Sequence, residues 1–178
     1  MSFTAPLTRF ENTDLWYAYL PVSDDVANQF IDGTDRRVIV TLEGTQKYHT
    51  AIMHLGNMGE GGKYFLNVNK RLRDALKLEF GQPVAFSIEK DTSEYGRPMP
   101  EEFREVMNQD PDFDKLFHSQ TPGTMRSLLY WAGNVKSPDI KIRRAFVVAE
   151  HLKANNGELD WKALNAELKA ANQAAKLR

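Results

Sequence analysis

Apolar and polar positions follow two different rhythms along this chain, and the change falls near residue 95. Before it, short runs rich in β-branched and aromatic residues alternate with glycine-containing turns, as half-buried strands do. After it, apolar residues recur every three to four positions, as on one face of a helix. Strands followed by helices predict an α+β protein with a β domain over residues 1–95 and a helical domain over residues 96–178.

In the first half a strand is expected at Leu15-Trp16-Tyr17-Ala18-Tyr19-Leu20, ended by Pro21. Ser23 is placed to cap a short helix carrying Val26, Ala27, Phe30 and Ile31 on one face, with Gly33 closing it. Arg36 to Leu42 reads as a strand, Glu43-Gly44-Thr45 as a turn, and Lys47 to Leu55 as the hairpin partner. Beyond a glycine-rich loop at residues 56–62, Tyr64 to Val68 is a strand. Asn69 caps a helix running to Leu78, and Val84 to Ile88 is a further strand. Five strands and two short helices in fewer than 100 residues predict a small β-barrel.

The helix starts of the second half are sharply marked. Asp110-Pro111, Thr121-Pro122 and Ser137-Pro138 each set a capping oxygen before a proline, whose missing N–H has no partner in a first helical turn anyway. Asp160 opens a last helix with Leu159 and Leu164 as a hydrophobic staple, and Asn155-Asn156-Gly157 ends the helix before it. The spacing assigns Phe103, Val106, Met107, Phe113, Leu116, Phe117, Leu128, Leu129, Ala132, Ala145, Phe146, Ala149 and Leu152 to the core.

Composition narrows the class. The 178 residues carry 23 Lys+Arg against 24 Asp+Glu, a balance that argues against a general binder of nucleic acid. With no cysteine, disulfides, thiolate nucleophiles and thiolate metal sites are excluded. No apolar run approaches the ~20 residues of a membrane span. Met1 to Pro6 has no charged region leading into an apolar one, so a cytoplasmic protein is expected. The balance hides an asymmetry: residues 101–125 hold six acids and two bases, residues 126–178 ten bases and five acids.

Catalytic and metal signatures are missing. His49 and His54 stand five apart, which on one strand puts them on opposite faces, a poor metal pair. Asp110-Pro111-Asp112-Phe113-Asp114 imitates half a calcium loop, but Lys115 stands where glycine is needed and Thr121 where a bidentate glutamate is needed. The 56–62 loop joins two strands and lacks the Lys-Ser/Thr of a phosphate loop. No nucleophile, base and orienting group assemble, so no enzymatic activity, metal or cofactor is expected. Two binding features stand out instead. Lys136, Lys141, Arg143 and Arg144 bracket a helix start with Trp131 about a turn upstream, a candidate anion-binding corner. Tyr17 and Tyr19, with Tyr48 or Tyr64, would line a small-ligand pocket in an open barrel.

Two stretches carry a resemblance. Pro100-Glu101-Glu102-Phe103, Asp110-Pro111, Trp131 and Lys136-x-Pro138-Asp139-x-Lys141-x-Arg143-Arg144 together resemble the helical domain of the bacteriocin-protection, YdeI/OmpD-associated family. Asp139 replaces the family's glutamate, Ile140 its usual threonine and Lys141 its usual arginine; lysine offers a point charge where arginine offers a fork. Trp16 to Pro21, Leu42-Glu43-Gly44, Tyr64 to Val68 and Lys70-Arg71-Leu72-Arg73 through Gly81 to Val84 resemble the β-rich domain of unknown function that often precedes it. The resemblance implies a small barrel followed by a helical domain and, from the family's name, a part in stress or protection from antimicrobial peptides. The 69–77 helix between strands is also similar to the element with which swapped-hairpin regulators bind DNA, and Lys70, Arg71, Arg73 and Lys77 would face phosphate there. The expectation is a non-enzymatic binding protein for a small ligand or a partner protein. A nucleic-acid-binding regulator is the alternative.

Overall fold

The computed structural model describes residues 2–10, 18–54 and 63–177. The chain divides into two compact units, Met1–Thr92 and Ser93–Arg178, α+β overall with strands in the first and a run of helices in the second.

Among the described residues the first unit has eight strands: β1 (Ser2–Pro6), β2 (Thr8–Arg9), β3 (Ala18–Val22), β4 (Arg37–Leu42), β5 (Gln46–Ala51), β6 (Met53–His54), β7 (Tyr64–Val68) and β8 (Pro83–Lys90). They form two antiparallel four-stranded sheets, ordered β1-β8-β4-β5 and β2-β3-β7-β6. This corrects the expected barrel, because the sheets do not close into one. The ladder breaks at Leu7, between β1 and β2, and at Ile52, between β5 and β6, where the chain leaves one sheet for the other. Both corner residues are buried, as expected where a bent strand turns its side chain into the core. Val38, Val40 and Leu42 of β4 alternate inward and join Val84, Phe86 and Ile88 of β8, with Leu20, Leu66 and Val68 from the other sheet.

Several local expectations shift for identifiable reasons. Ser2 to Pro6 carries little strand pattern, yet it pairs along its whole length with β8. Pro21 lies inside β3 instead of ending it. β3 pairs with β2 only at Ala18 and Tyr19, so at Pro21 it has a single ladder partner, β7, and a residue without an N–H is tolerated. Helices α1 (Asp24–Asn28) and α2 (Lys70–Leu76) of this unit are shorter than expected, with Ser23 and Asn69 capping them as predicted. In the β4–β5 turn Glu43 and Gly44 both have positive φ, 48° and 64°, which glycine adopts without cost.

The second unit comprises α3 (Glu101–Gln109), α4 (Pro111–His118), α5 (Pro122–Gly133), α6 (Pro138–Ala154) and α7 (Trp161–Lys176). The proline-marked starts fall where the sequence puts them. Asp110 and Thr121 accept the N–H of Phe113 and Thr124, and Asp160 accepts those of Lys162 and Ala163. Ser137 occupies its cap position without a side-chain cap bond. Phe103, Phe113 and Phe117 pack edge to face with centroids 5.2 to 6.3 Å apart. Gly133 permits a close approach at the end of α5, where a Cβ would stand 2.7 Å from Pro100 Cγ. At the centre lies α6, packed against α3, α4, α5 and α7.

Candidate functional site

Four helices around a seventeen-residue central helix explain why α6 carries apolar residues on more than one face. Its cations serve as fasteners to those neighbours. Lys141 Nζ lies 3.3 Å from Glu102 Oε1 on α3, and Arg143 Nη1 donates to Asn172 Oδ1 on α7 at 2.8 Å. Arg144 donates through Nη1 to the Trp131 carbonyl of α5 and rests over the indole, 5.2 Å from guanidinium carbon to ring centroid. Burial pulls the Arg144 pKa below its ordinary value, and its Nε has no hydrogen-bond partner. The Trp131 indole N–H donates to Asn165 Oδ1 on α7 at 3.2 Å. Lys136 is exposed before the helix. The five residues of the candidate anion corner therefore point to three different helices and to solvent, without a shared focus. Lys153, near the other end, sits 2.7 Å from Asp110 Oδ2 and 2.6 Å from Glu150 Oε1, tying α6 to the start of α4. The Lys153 ammonium holds the Asp110 carboxyl below the ordinary carboxylate range.

One face of α6 has no such cover. Ala145, Val148, Ala149 and Leu152 are fully buried, but Phe146 is 52% exposed and Ile142 40%. Phe146, assigned to the core by its spacing, is thus a surface residue. At 100° per residue Asp139, Ile142, Phe146 and Glu150 form one strip, about 16 Å long, occupying just under a quarter of the helix circumference. A groove runs on each side of it. One, about 700 Å³, lies between α6 and α7 over Val147, His151 and Ala171. The other, about 540 Å³, lies between α6 and α3 over Val106.

Carboxylates surround this apolar strip. Asp139 and Glu150 stand at its ends, Glu101, Glu102 and Glu105 on the α3 flank, and Glu167 on the α7 flank. Arg104 and Arg143 are the cations lining the grooves. Glu102 and Glu150 are matched by Lys141 and Lys153. Below the α7 groove lies His151, 1% exposed. The Asp160 backbone N–H donates to its Nε2 at 3.1 Å, so the proton resides on Nδ1, which donates to Glu167 at 3.0 Å. That imidazole joins the last turn of α6 to the cap of α7 and fixes one wall of the groove.

The aromatic residues proposed for a pocket are spread through the β unit. Tyr19 is buried against Phe10 and Phe65, with centroids at 4.4 and 5.6 Å. Tyr48 donates its hydroxyl to the Asn67 carbonyl at 3.2 Å, and burial raises its pKa. Tyr64 meets His54 edge to face. Trp16 and Tyr17 lie outside the described residues. On α2, Arg73 sits over the Phe80 ring at 5.4 Å, while Lys70, Arg71 and Lys77 are exposed beside Asp74. His49 and His54 fall on strands of different sheets, and His49 Nδ1 pairs with Asp91 Oδ2 at 2.9 Å. That contact, joining positions 42 apart, was invisible in the sequence. His118 sits between Tyr95 Oη, 2.8 Å from Nε2, and Asp114 Oδ1, 3.1 Å from Nδ1.

Among the described residues no helix is long and apolar enough to cross a membrane, and no three ligating side chains are grouped to hold a metal. Comparison with curated proteins and with solved structures found no match. Residues 3–88, the strands and short helices of the β unit, match the family model described as a domain of unknown function, DUF1905.

Proposed function

We propose that this chain is a non-enzymatic binding protein whose helical unit takes up a helical segment of a partner protein along the Ile142–Phe146 strip. The observation that carries this reading is the unfinished packing of α6. Four helices cover it, and the remaining face presents two large apolar side chains between two grooves. Leaving Phe146 and Ile142 about half exposed forgoes a part of the roughly 1.5–3 kcal/mol that fully burying each such side chain contributes. A contiguous apolar feature rimmed by polar groups marks an interaction surface more often than a stability device. Its shape suits a helix, because a row of residues four apart is a ridge of the kind that seats between the side-chain rows of another helix.

The test is a titration of the ¹⁵N-labelled protein with a Leu-faced amphipathic peptide about 15 residues long, its polar face made of glutamine. Shifts concentrated at Ile142, Phe146 and Val147, lost in Phe146→Asp, are expected. A peptide that leaves these amides unmoved overturns the reading.

A further inference from the structure

Resting on that reading, we infer that the segment seated on α6 is a basic amphipathic helix supplied by another protein. The apolar strip sets where a helix docks; the charges around it set which helix. Carboxylates stand at both ends of the strip, Asp139 and Glu150, and on both flanks, Glu101 and Glu105 toward α3 and Glu167 toward α7. Glu102 and Glu150 are engaged by Lys141 and Lys153, and Glu167 accepts from His151. Glu105 accepts from the Gln109 amide at 2.6 Å, which leaves its charge uncompensated. Glu101, Glu105 and Asp139 therefore keep a negative potential beside the apolar ridge, with Arg104 and Arg143 as the cations lining the grooves. Arg143 donates to the neutral Asn172 on α7 and keeps its charge, as Glu167 does beside the neutral His151, so four acids, Glu101, Glu105, Asp139 and Glu167, outweigh the two arginines. A helix lying in the grooves brings its own flanking side chains over these acids, so lysine or arginine there is attracted and glutamate repelled.

The same charges dismiss other occupants. A second copy docking by this strip would set acid against acid. An anionic lipid surface and a nucleic acid are repelled for the same reason. A small apolar ligand would sit on a ridge and not in an enclosed cavity, which leaves most of its surface wet.

Three peptides with one Leu face and polar faces of lysine, glutamine or glutamate make the test, read by fluorescence anisotropy against the full chain. At about 0.05 M salt the Lys-faced peptide is expected to bind about tenfold more tightly than the Gln-faced one, a preference that fades by about 0.5 M as the charges are screened. The Glu-faced peptide is expected not to bind. Glu101→Gln with Glu105→Gln and Asp139→Asn should erase most of the preference while Gln-faced binding persists, and Phe146→Ser should abolish binding of all three. Equal affinity for the Lys- and Gln-faced peptides overturns the charge inference and leaves the docking reading standing. Binding of none overturns both. A dimer in sedimentation that Phe146→Ser converts to monomer shows a second copy on the strip and overturns the inference.

Discussion

The two sides of α6 differ in almost everything except amino-acid type. The inner side, Ala145, Val148, Ala149 and Leu152, is sealed by α3, α4, α5 and α7, and basic side chains fasten its margins to those helices. The outer strip, Ile142 and Phe146, is as apolar yet lies open between two grooves with acids around it. An apolar residue at helical spacing thus has two possible destinations, and neighbouring helices decide between them. The fasteners matter to the contrast, because Lys141, Arg143 and Arg144, three of the four cations that looked like an anion site in sequence, are engaged in holding the inner side shut.

Substitutions on each side should break or sharpen that difference. The largest effect is expected from Leu152→Ala, which opens a cavity on the sealed side and should cost about 2–5 kcal/mol in urea unfolding. A cost below about 1 kcal/mol would mean the inner side is loosely packed and the contrast false. Next comes His151→Leu, which strands the Asp160 N–H and removes the donor to Glu167. About 1–3 kcal/mol is expected, together with increased amide exchange in the first turn of α7. Unchanged exchange there would show that the imidazole does not join the two helices.

A smaller effect is expected from Asp110→Asn, which keeps a competent helix cap but removes the carboxylate facing Lys153. About 0.5 kcal/mol at neutral pH would fit a partly exposed pair. Because Lys153 lowers the Asp110 pKa, the unfolded chain binds the proton more readily than the folded one. The pair's contribution is complete above the ordinary value of 3.8 and is lost as pH falls through the lower folded value. Stability of the wild type should therefore fall more steeply than that of Asp110→Asn below about pH 4, and parallel curves in that window would refute the assignment. The smallest effect belongs to the open strip. Phe146→Ala should change stability by less than about 1 kcal/mol, and a larger loss would place Phe146 in the fold's own core.

Much of the helical unit was legible because its signals are local. A capping oxygen followed by proline constrains its own turn whatever surrounds it, and Asp110, Thr121 and Ser137 stand where those signals put them, as does the Asp160 cap with its hydrophobic staple. The same holds for the Ser23 and Asn69 caps and for β7. What failed depended on partners distant in sequence. Ser2 to Pro6 is a strand because β8 lies beside it, and Pro21 fits within β3 because one neighbour ends before it. The barrel expectation failed at Leu7 and Ile52, since strand count does not report where a ladder breaks.

The candidate site divides along the same line. Sequence alone determined the α+β order, the helix starts, the core phenylalanines of α3 and α4, and the separation of acids at residues 101–125 from bases at 126–178. Each follows from chemistry within a few residues of chain. Only tertiary structure decided that Phe146 faces outward, that Lys141, Arg143 and Arg144 diverge to three helices, and that acids of α3 and α7 meet around the strip on α6. A helical period states which residues share a face. Which faces are covered depends on how many helices pack around that one, and that is a property of the assembled unit.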